Sequence, residues 1–165
     1  MREDLVLHTP ELSGGRRASA PRSPLRVPTL LQSAQAAQYC TMEQAFAATG
    51  GIVASEEMVG RLRRRTDQPI SRLARWIVDR EVLSFQWHGH TMLPMFQFDP
   101  HSLAPYAEFT TALRELVPAL SDWEIAVWFA TPNVWLEERS PVDAILSDAA
   151  AVFDAALAER FLARG

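Results

Sequence analysis

The sequence contains a single cysteine, Cys40, and no lysine, because all 16 of its basic residues are arginine. One cysteine excludes an intramolecular disulfide and cannot build a cysteine-ligated metal cluster. No apolar run is long enough to cross a membrane, and the N-terminal residues Met1 to Asp4 do not lead into the apolar core of a signal peptide. These absences favour a protein of the reducing cytoplasm with no membrane partner.

Motifs of catalysis and of cofactor binding are also missing. The sequence has no G-x-S-x-G or H-E-x-x-H motif, and its seven glycines are too scattered for a phosphate-binding loop. His88 and His90 are two residues apart, so on a strand their side chains would lie on the same face and could share a metal ion. No acidic or cysteine ligand lies beside them in the sequence, which favours a polar turn over a metal site. We therefore expect no catalytic residue, no metal, no cofactor and no enzyme activity.

Charge is distributed unevenly along the chain. Residues 61–80 contain seven arginines and two aspartates, a net charge of +5, whereas residues 99–165 contain eleven acidic residues and four arginines, a net charge of −7. A basic segment suits a polyanion, and an acidic segment suits a less anionic partner. The charge pattern therefore predicts two separate binding surfaces.

The N-terminal residues 1–30 predict a disordered tail. Prolines and glycines interrupt any apolar periodicity there, so the entropy lost on ordering would not be compensated by burial. Residues 31–49 are rich in alanine and glutamine, which favours a helix. Gly50 and Gly51 end this helix, because glycine readily adopts the left-handed conformation of a C-cap.

Residues 55–79 have the pattern of a helix-turn-helix. Ser55 is placed to cap a first helix, and the break before Pro69 separates it from a second helix. The second helix has an apolar stripe of Ile70, Leu73, Ala74 and Ile77. Arginines lie opposite this stripe, as on a recognition helix that enters the major groove. The predicted DNA-contacting residues are Arg61, Arg64, Arg65, Gln68, Ser71, Arg72 and Arg75. The alternative is a structural helical hairpin with a solvated arginine face.

Residues 82–98 change from helical to alternating apolar periodicity, which predicts a β-hairpin. Gly89-His90 is placed to form its two-residue loop, with glycine supplying the positive φ. Pro94 cannot donate to a strand ladder, so its strand is expected at the sheet edge. A helix, turn, helix and hairpin in this order are typical of a winged helix.

The C-terminal residues 104–165 predict a small helical bundle. Ser121 and Glu124 have the spacing of a capping box, in which two side chains reciprocally satisfy backbone donors at a helix start. Further helix starts are indicated at Thr131-Pro132, Ser140-Pro141 and Ser147-Asp148. Trp123, Trp128 and Phe129 are expected in the core, whereas Trp135, on a short helix between two loops, is the best candidate for a partly exposed anchor.

The same residues resemble the toxin-binding domain of the MbcA/ParS/Xre antitoxin family. The resemblance rests on W-x-x-x-x-W-F-x-x-P-N-x-W-L, followed by S-P-V-D-x-I-L and an alanine-rich last helix, within residues 121–162. The P-M-F-Q-F-D segment at 94–99 is similar to helix-turn-helix segments found ahead of this module. The chain departs from the family pattern at Glu137-Glu138-Arg139, where the family usually carries a glycine before Ser/Thr-Pro.

The resemblance implies that the protein neutralises a RES-domain toxin, an NAD-consuming enzyme, by covering its active-site entrance. It also implies repression of its own operon through operator DNA, normally as a homo-oligomer. The residues expected to contact the partner are Asn133, Trp135, Leu136, Pro141 and Arg160. Two alternatives remain open: a transcription regulator whose C-terminal module only oligomerises, and a scaffold protein without DNA contact.

The sequence therefore predicts a mainly α protein with three parts. These are a disordered tail at 1–30, a winged-helix-like DNA-binding region with one β-hairpin at 31–99, and a small toxin-binding helical bundle at 104–165.

Overall fold

The computed structural model describes residues 30–164, so the tail predicted at 1–30 lies outside the described residues apart from Leu30. The described chain is mainly helical. Its helices are α1 Leu30–Phe46, α2 Ser55–Leu62, α3 Pro69–Val78, α4 Ala107–Leu116, α5 Asp122–Ala130, α6 Pro141–Ala144 and α7 Ala149–Arg164. Its strands are β1 Ile52–Ala54, β2 Phe85–Trp87 and β3 His90–Pro94, and 3₁₀ turns lie at Ala47–Thr49, Met95–Gln97 and Val134–Leu136. None of the helices in this range has the length and apolarity that a membrane span requires.

The helix predicted at 31–49 is confirmed as α1 and the 3₁₀ turn that follows it. Gly50 ends the segment with a φ of 100°, in the left-handed conformation expected for a glycine C-cap. A side chain at this position would also lie close to Met95, because an added Cβ would be 3.0 Å from the Met95 Cβ. Gly50 therefore both reverses the chain and allows the segment after β3 to pack beside it.

The two helices of the predicted helix-turn-helix are present, with two corrections. Ser55 is the first residue of α2 rather than its cap, since Ala54 occupies the N-cap position and no side chain accepts a capping hydrogen bond. Pro69 begins α3 as predicted. The buried stripe of α3 is different: Leu73 and Trp76 are buried, whereas Ile70 is 66% exposed. The helix is thus rotated relative to the prediction.

The sheet contains a third strand that the sequence pattern did not indicate. β1 pairs antiparallel with β3, and β3 pairs antiparallel with β2, so the strand order is β1-β3-β2. The hairpin loop is His88-Gly89 rather than Gly89-His90, because Trp87 pairs with His90. Both loop residues have positive φ, 48° and 83°, as a type I′ turn requires.

Pro94 lies in the central strand, so its predicted edge position is wrong. The Met95 N–H donates to the Gly51 carbonyl at 2.8 Å. Because bonded and non-bonded pairs alternate in an antiparallel ladder, the Pro94 nitrogen faces the β2 side. The β2 pairing already ends at the Phe85–Met92 pair, so no ladder bond is lost there. The order of α1, β1, α2, α3 and the β2–β3 hairpin is that of a winged helix, with the hairpin as its wing.

The C-terminal segments fold into four helices and one 3₁₀ turn. The capping box is confirmed: the Glu124 N–H donates to Ser121 Oγ at 3.3 Å, and the Ser121 N–H donates to Glu124 Oε2 at 2.8 Å. The Ser121 hydroxyl also donates to Glu124 Oε2 at 2.7 Å, and this bond, together with the one from the Ser121 N–H to the same carboxylate, lowers the pKa of Glu124. A lowered folded-state pKa means that the box contributes stability at neutral pH and loses it as the pH falls through that pKa.

The remaining helix starts differ in detail from the prediction. Thr131 ends α5 instead of starting a helix, and its hydroxyl donates to the Val127 carbonyl at 3.0 Å. Pro141 is the first residue of α6 as predicted, but the Ser140 hydroxyl donates to Asp143 Oδ2 at 2.6 Å rather than capping the backbone. At the start of α7, Asp148 Oδ1 accepts from the Ala151 N–H at 3.3 Å.

Two hydrophobic clusters hold these elements together. The larger cluster includes residues of α1, the hairpin segment and the C-terminal helices. The regions before residue 99 and after residue 104 therefore share one hydrophobic core. At its centre Phe96 contacts the rings of Phe46, Phe109 and Phe129 at centroid distances of 4.9, 5.4 and 5.1 Å. The smaller cluster lies under α2, α3 and β1 and contains Met58, Leu62, Leu73, Trp76 and Phe98.

An aromatic stack joins the wing to both α1 and α5. The Trp87 ring lies 4.4 Å from the Tyr39 ring at an angle of 5°, and 5.4 Å from the Trp123 ring at 26°. The Trp123 indole N–H donates to Gln38 Oε1 at 2.7 Å. Trp128 and Phe129 are buried as predicted, whereas Trp123 is half-buried because it belongs to this stack.

A buried glutamine fixes the start of the hairpin and gives the first testable prediction. Gln97 is fully buried; its Oε1 accepts from the Leu83 N–H at 2.7 Å, and its Nε2 donates to the Leu83 and Pro94 carbonyls at 2.9 and 2.8 Å. Gln97→Met keeps the length of the side chain but leaves these buried backbone groups unsatisfied. We expect a loss of about 3 kcal/mol or more in unfolding free energy, measured by urea denaturation.

The matched control is Gln86→Met on the exposed face of β2, where the Gln86 side chain donates to Thr91 Oγ1 at 2.8 Å. Its expected effect is within about 0.5 kcal/mol. Equal stability of the two variants would contradict the role given to Gln97.

Candidate nucleic-acid and partner interfaces

The predicted DNA-contacting side chains lie on the exposed surface of α2, α3 and the turn between them, in two groups. The first group is Arg61, Arg64 and Arg65, which line an open surface cavity of about 690 Å³ together with Pro100 and Leu103. The second group lines a smaller concavity of about 340 Å³ with Thr66 and Trp76, and consists of Gln68, Ser71, Arg72 and Arg75. The structure therefore brings each group together around its own depression.

The arginines of the first group differ in their surroundings. Arg61 Nη2 lies 2.7 Å from Glu57 Oε1, one helical turn earlier on α2. An exposed i, i+4 pair of this kind contributes only about 0.3–0.5 kcal/mol, so a stronger anion can displace it. Arg64 and Arg65 are exposed, and no carboxylate among residues 30–163 lies within ion-pair distance of either. These two side chains are available for phosphate.

In the second group Arg72 is positioned by an aromatic ring. Its guanidinium carbon lies 4.9 Å from the centroid of Trp76, which is itself buried against Phe98. Such a cation–π contact contributes about 0.5–1 kcal/mol at an exposed site. The Arg–Trp spacing of four residues is the sequence signal that could have indicated this pair. Arg75, on the next turn, is exposed.

The C-terminal end of α3 is attached to the C-terminal helices by polar contacts that the sequence did not reveal. Arg80 Nη1 lies 2.6 Å from Asp122 Oδ1 at the first residue of α5. The Thr110 hydroxyl of α4 donates to the Glu81 carbonyl at 3.1 Å. These partners are 42 and 29 residues apart in the chain, so no local pattern could have paired them. They connect the predicted recognition helix directly to the C-terminal module.

The tip of the wing is polar. His88 and His90 are both exposed, and the His88 ring packs edge-on against Trp87 at 4.4 Å. Within residues 30–164 no group of three or more histidine, cysteine or carboxylate side chains is arranged to hold a metal ion. The wing tip can offer hydrogen bonds to a nucleic-acid backbone but supplies no metal site in the described region.

The predicted partner surface is built around Asn133. Its side-chain Oδ1 accepts from the Trp135 N–H at 2.9 Å, and its carbonyl accepts from the Leu136 and Glu138 N–H groups at 2.9 and 3.1 Å. Its own N–H donates to the Arg139 carbonyl at 3.1 Å. Asn133 thus closes residues 133–139 into a compact loop, and its main role in this conformation is to shape that loop.

Two of the residues at which the chain departs from the antitoxin pattern have the backbone conformation that glycine favours. Glu137 and Glu138 have φ values of 56° and 64°, both in the left-handed region. A non-glycine residue in this region is less stable by about 1–2 kcal/mol. Both carboxylates are exposed, and the Asn133 hydrogen bonds hold the backbone in place.

Trp135 lies on the outside of this loop. It is 62% exposed, and its neighbour Val134 is 74% exposed, so the two form an apolar patch on the 3₁₀ turn. Exposure of Trp135 agrees with the prediction of a surface anchor and excludes a position in the core. Leu136 and Pro141, which were also expected to contact the partner, are buried. Their side chains support the loop from below and are not available to a docked protein in this conformation.

Arg160 is occupied by an intramolecular contact. Its Nη1 lies 2.5 Å from Glu115 Oε2 of α4, close in distance but without the alignment of a hydrogen bond. Its guanidinium also lies 5.5 Å from the ring of Phe161, which is 64% exposed. A partner that uses Arg160 must compete with Glu115.

No protein-family model, curated protein or solved structure matches this chain. The resemblance to antitoxins therefore remains a prediction from the residues quoted above.

The second testable prediction separates the shape of the loop from its exposed side chain. Asn133→Ala removes the acceptor of the Trp135 N–H, and we expect a loss of about 1 kcal/mol in unfolding free energy. Trp135→Ala removes only an exposed ring, and we expect a change within about 0.5 kcal/mol. Chemical denaturation followed by circular dichroism measures both. A melting temperature of Trp135→Ala far below the parent's would contradict the exposed position and mean that the ring packs in the core.

Proposed function

We propose that this protein binds double-stranded DNA through α3 and docks a partner protein through its C-terminal module. In this proposal it acts as an antitoxin that neutralises a RES-type toxin and represses its own operon. The observation that carries the DNA-binding part is the winged-helix order of elements with an exposed, cationic face on α3. Its location is the cytoplasm, where operator DNA is found.

The dimensions and charge of α3 support a role in the major groove. The groove is about 12 Å wide and admits one α-helix. Arg72 and Arg75 project from the exposed face, while Arg64 and Arg65 lie at the turn before the helix. This arrangement suits phosphate contacts around a helix that approaches the base edges.

The exposed Val134–Trp135 patch supports the protein-docking part. A rigid indole loses little conformational entropy on binding, and tryptophan is enriched among residues that dominate interface energies. The surrounding module is acidic, with a net charge of −7 over residues 99–165, which favours a basic or neutral partner over DNA at this surface. Glu137 and Glu138 adopt the positive φ values that glycine favours, which supports a turn of this kind where the antitoxin family usually carries glycine. Homo-oligomerisation is part of the proposal through the same resemblance.

A regulator whose C-terminal module only oligomerises is the second candidate, and the exposed Val134–Trp135 patch is compatible with it. Sedimentation of the Trp135→Ala variant separates the two. Dissociation of an oligomer by this substitution favours the second candidate, whereas an unchanged oligomer with lost toxin binding favours the antitoxin. A scaffold protein without DNA contact is separated from both by a DNA-binding assay.

The third testable prediction concerns the DNA contact. The Arg72→Ala/Arg75→Ala double variant should bind every DNA sequence more weakly. A plot of log affinity against log salt concentration has a negative slope, and each lost phosphate contact should make it less steep by about one. Titration of a mixed DNA pool at several salt concentrations measures this. Arg114→Ala, an exposed arginine on α4, is the control and should leave the slope unchanged. If the double variant binds DNA as tightly as the parent does, then Arg72 and Arg75 of α3 do not contact DNA.

The fourth testable prediction concerns the partner. Trp135→Ala should weaken binding of a RES-domain toxin by about 2 kcal/mol, a factor of roughly 30, while thermal stability stays near the parent's. Calorimetric titration with the purified toxin measures it. Leu146→Ala is the control, since Leu146 is an equally exposed apolar residue outside the loop. Equal affinity of the Trp135→Ala variant and the parent would exclude the anchor.

A further inference from the structure

A cavity away from both α3 and the Asn133 loop lies where the winged helix meets the C-terminal module. Its volume is about 400 Å³, and small-molecule sites in proteins have volumes of about 300–1,000 Å³. Its walls come from the turn after α1, from α2, from the segment after β3 and from the loop after α6. Ligand sites occur preferentially where two structural units meet, and they are mainly apolar. The apolar residues of the wall include Met95, Phe96, Phe98, Leu103 and Leu146.

The charge on the wall indicates which ligands the cavity can accept. Among residues 30–164, Arg61 is the one charged side chain that lines it, and no carboxylate does. Glu57, the ion-pair partner of Arg61, lines the neighbouring cavity of about 690 Å³ instead. The contact with Glu57 uses Nη2 of Arg61, which leaves the Nε and Nη1 donors for a second anion. The cavity is therefore complementary to an apolar molecule with one negative charge.

Tyr106 lines the same cavity with a side chain that stays neutral. Burial raises the pKa of its hydroxyl, and the nearby carboxylates of Asp99 and Glu108 raise it further. The hydroxyl is therefore protonated at neutral pH. Because the same two carboxylates repel an anion, the charge of a ligand belongs beside Arg61, and its uncharged part belongs beside Tyr106.

Leu103 contributes to the wall from a strained backbone conformation. Its φ is 57°, in the left-handed region that disfavours a residue with a Cβ. Asp99 holds this conformation: its carbonyl accepts from the Leu103 N–H at 2.8 Å, and its Oδ1 accepts from the His101 and Ser102 N–H groups at 3.0 and 2.6 Å. Strain that surrounding contacts hold in place is concentrated at ligand sites. The loop thus fixes this part of the wall before any ligand binds.

We propose that this cavity binds a small monocarboxylate with an apolar body, whose carboxylate pairs with Arg61. The apolar body packs against Phe98 and Leu103 and covers Leu146, which is 60% exposed in the unbound protein. A ligand with several charges is disfavoured, because the wall is mainly apolar and offers a single cation. This site is an addition to the proposed DNA and partner binding, and it depends on neither.

The probe for this site is 2-naphthoate, an apolar bicyclic carboxylate. Its uncharged counterpart 2-naphthamide has nearly the same shape. Titration of the ¹⁵N-labelled full chain, followed by amide NMR, measures the affinity of both. We expect saturable shifts at the amides of Leu103 and Tyr106. The naphthoate should bind about tenfold more tightly than the naphthamide, because a hydrogen bond between two charged groups is stronger than one to a neutral group.

Arg61→Gln should weaken naphthoate binding about tenfold, to the affinity of naphthamide, and should leave naphthamide binding unchanged. Arg114→Gln is the matched control, because it removes the same charge from an exposed position on α4 outside the cavity, and it should keep the tenfold preference. Absence of naphthoate binding, or shifts confined to other parts of the chain, overturns the inference. Equal affinity of the parent for both probes overturns it as well, and so does a tenfold preference that persists in Arg61→Gln.

Discussion

The packing of Phe96 is the constraint on which the rest of the structure depends. Phe96 is buried directly after β3, and its ring touches Phe46 of α1, Phe109 of α4 and Phe129 of α5. Truncating such a ring in a core costs about 3–5 kcal/mol. Because one side chain joins the first helix, the wing and the C-terminal helices, the two regions share a core. Separating them at residues 99–104 would expose rings on both sides.

The predicted recognition helix is held differently from this shared core. Its buried residues Leu73 and Trp76 belong to the smaller cluster under α2 and β1, and its C-terminal end is tied to α5 by the Arg80–Asp122 pair. That pair is half-exposed and therefore contributes little to stability on its own. The orientation of α3 thus depends on a small cluster and a few polar contacts.

Signals among neighbouring residues predicted much of this fold. The errors of the prediction come from contacts between residues that are distant in the chain. The break before Pro69 and the capping box at Ser121 are read from adjacent residues, and both were predicted correctly. The rotation of α3 was not, because Ile70 and Leu73 both have helical spacing with other apolar residues; the contact of Trp76 with Phe98 decides which stripe is buried. The three-residue strand β1 is too short for a periodic pattern, and it exists through its pairing with β3. The central position of Pro94 follows from that same pairing.

The loop around Asn133, at the proposed partner surface, balances backbone strain against hydrogen bonds. Two left-handed glutamates oppose this conformation, so hydrogen bonds must over-determine it, and Asn133 supplies four of them. The buried Leu136 anchors the same loop from below. A loop fixed in this way presents Trp135 in one orientation before any partner arrives. The strain at Glu137 and Glu138 is thus offset by hydrogen bonds within the fold. In the proposed docking role, a Trp135 ring fixed in this way would lose less entropy when a partner binds.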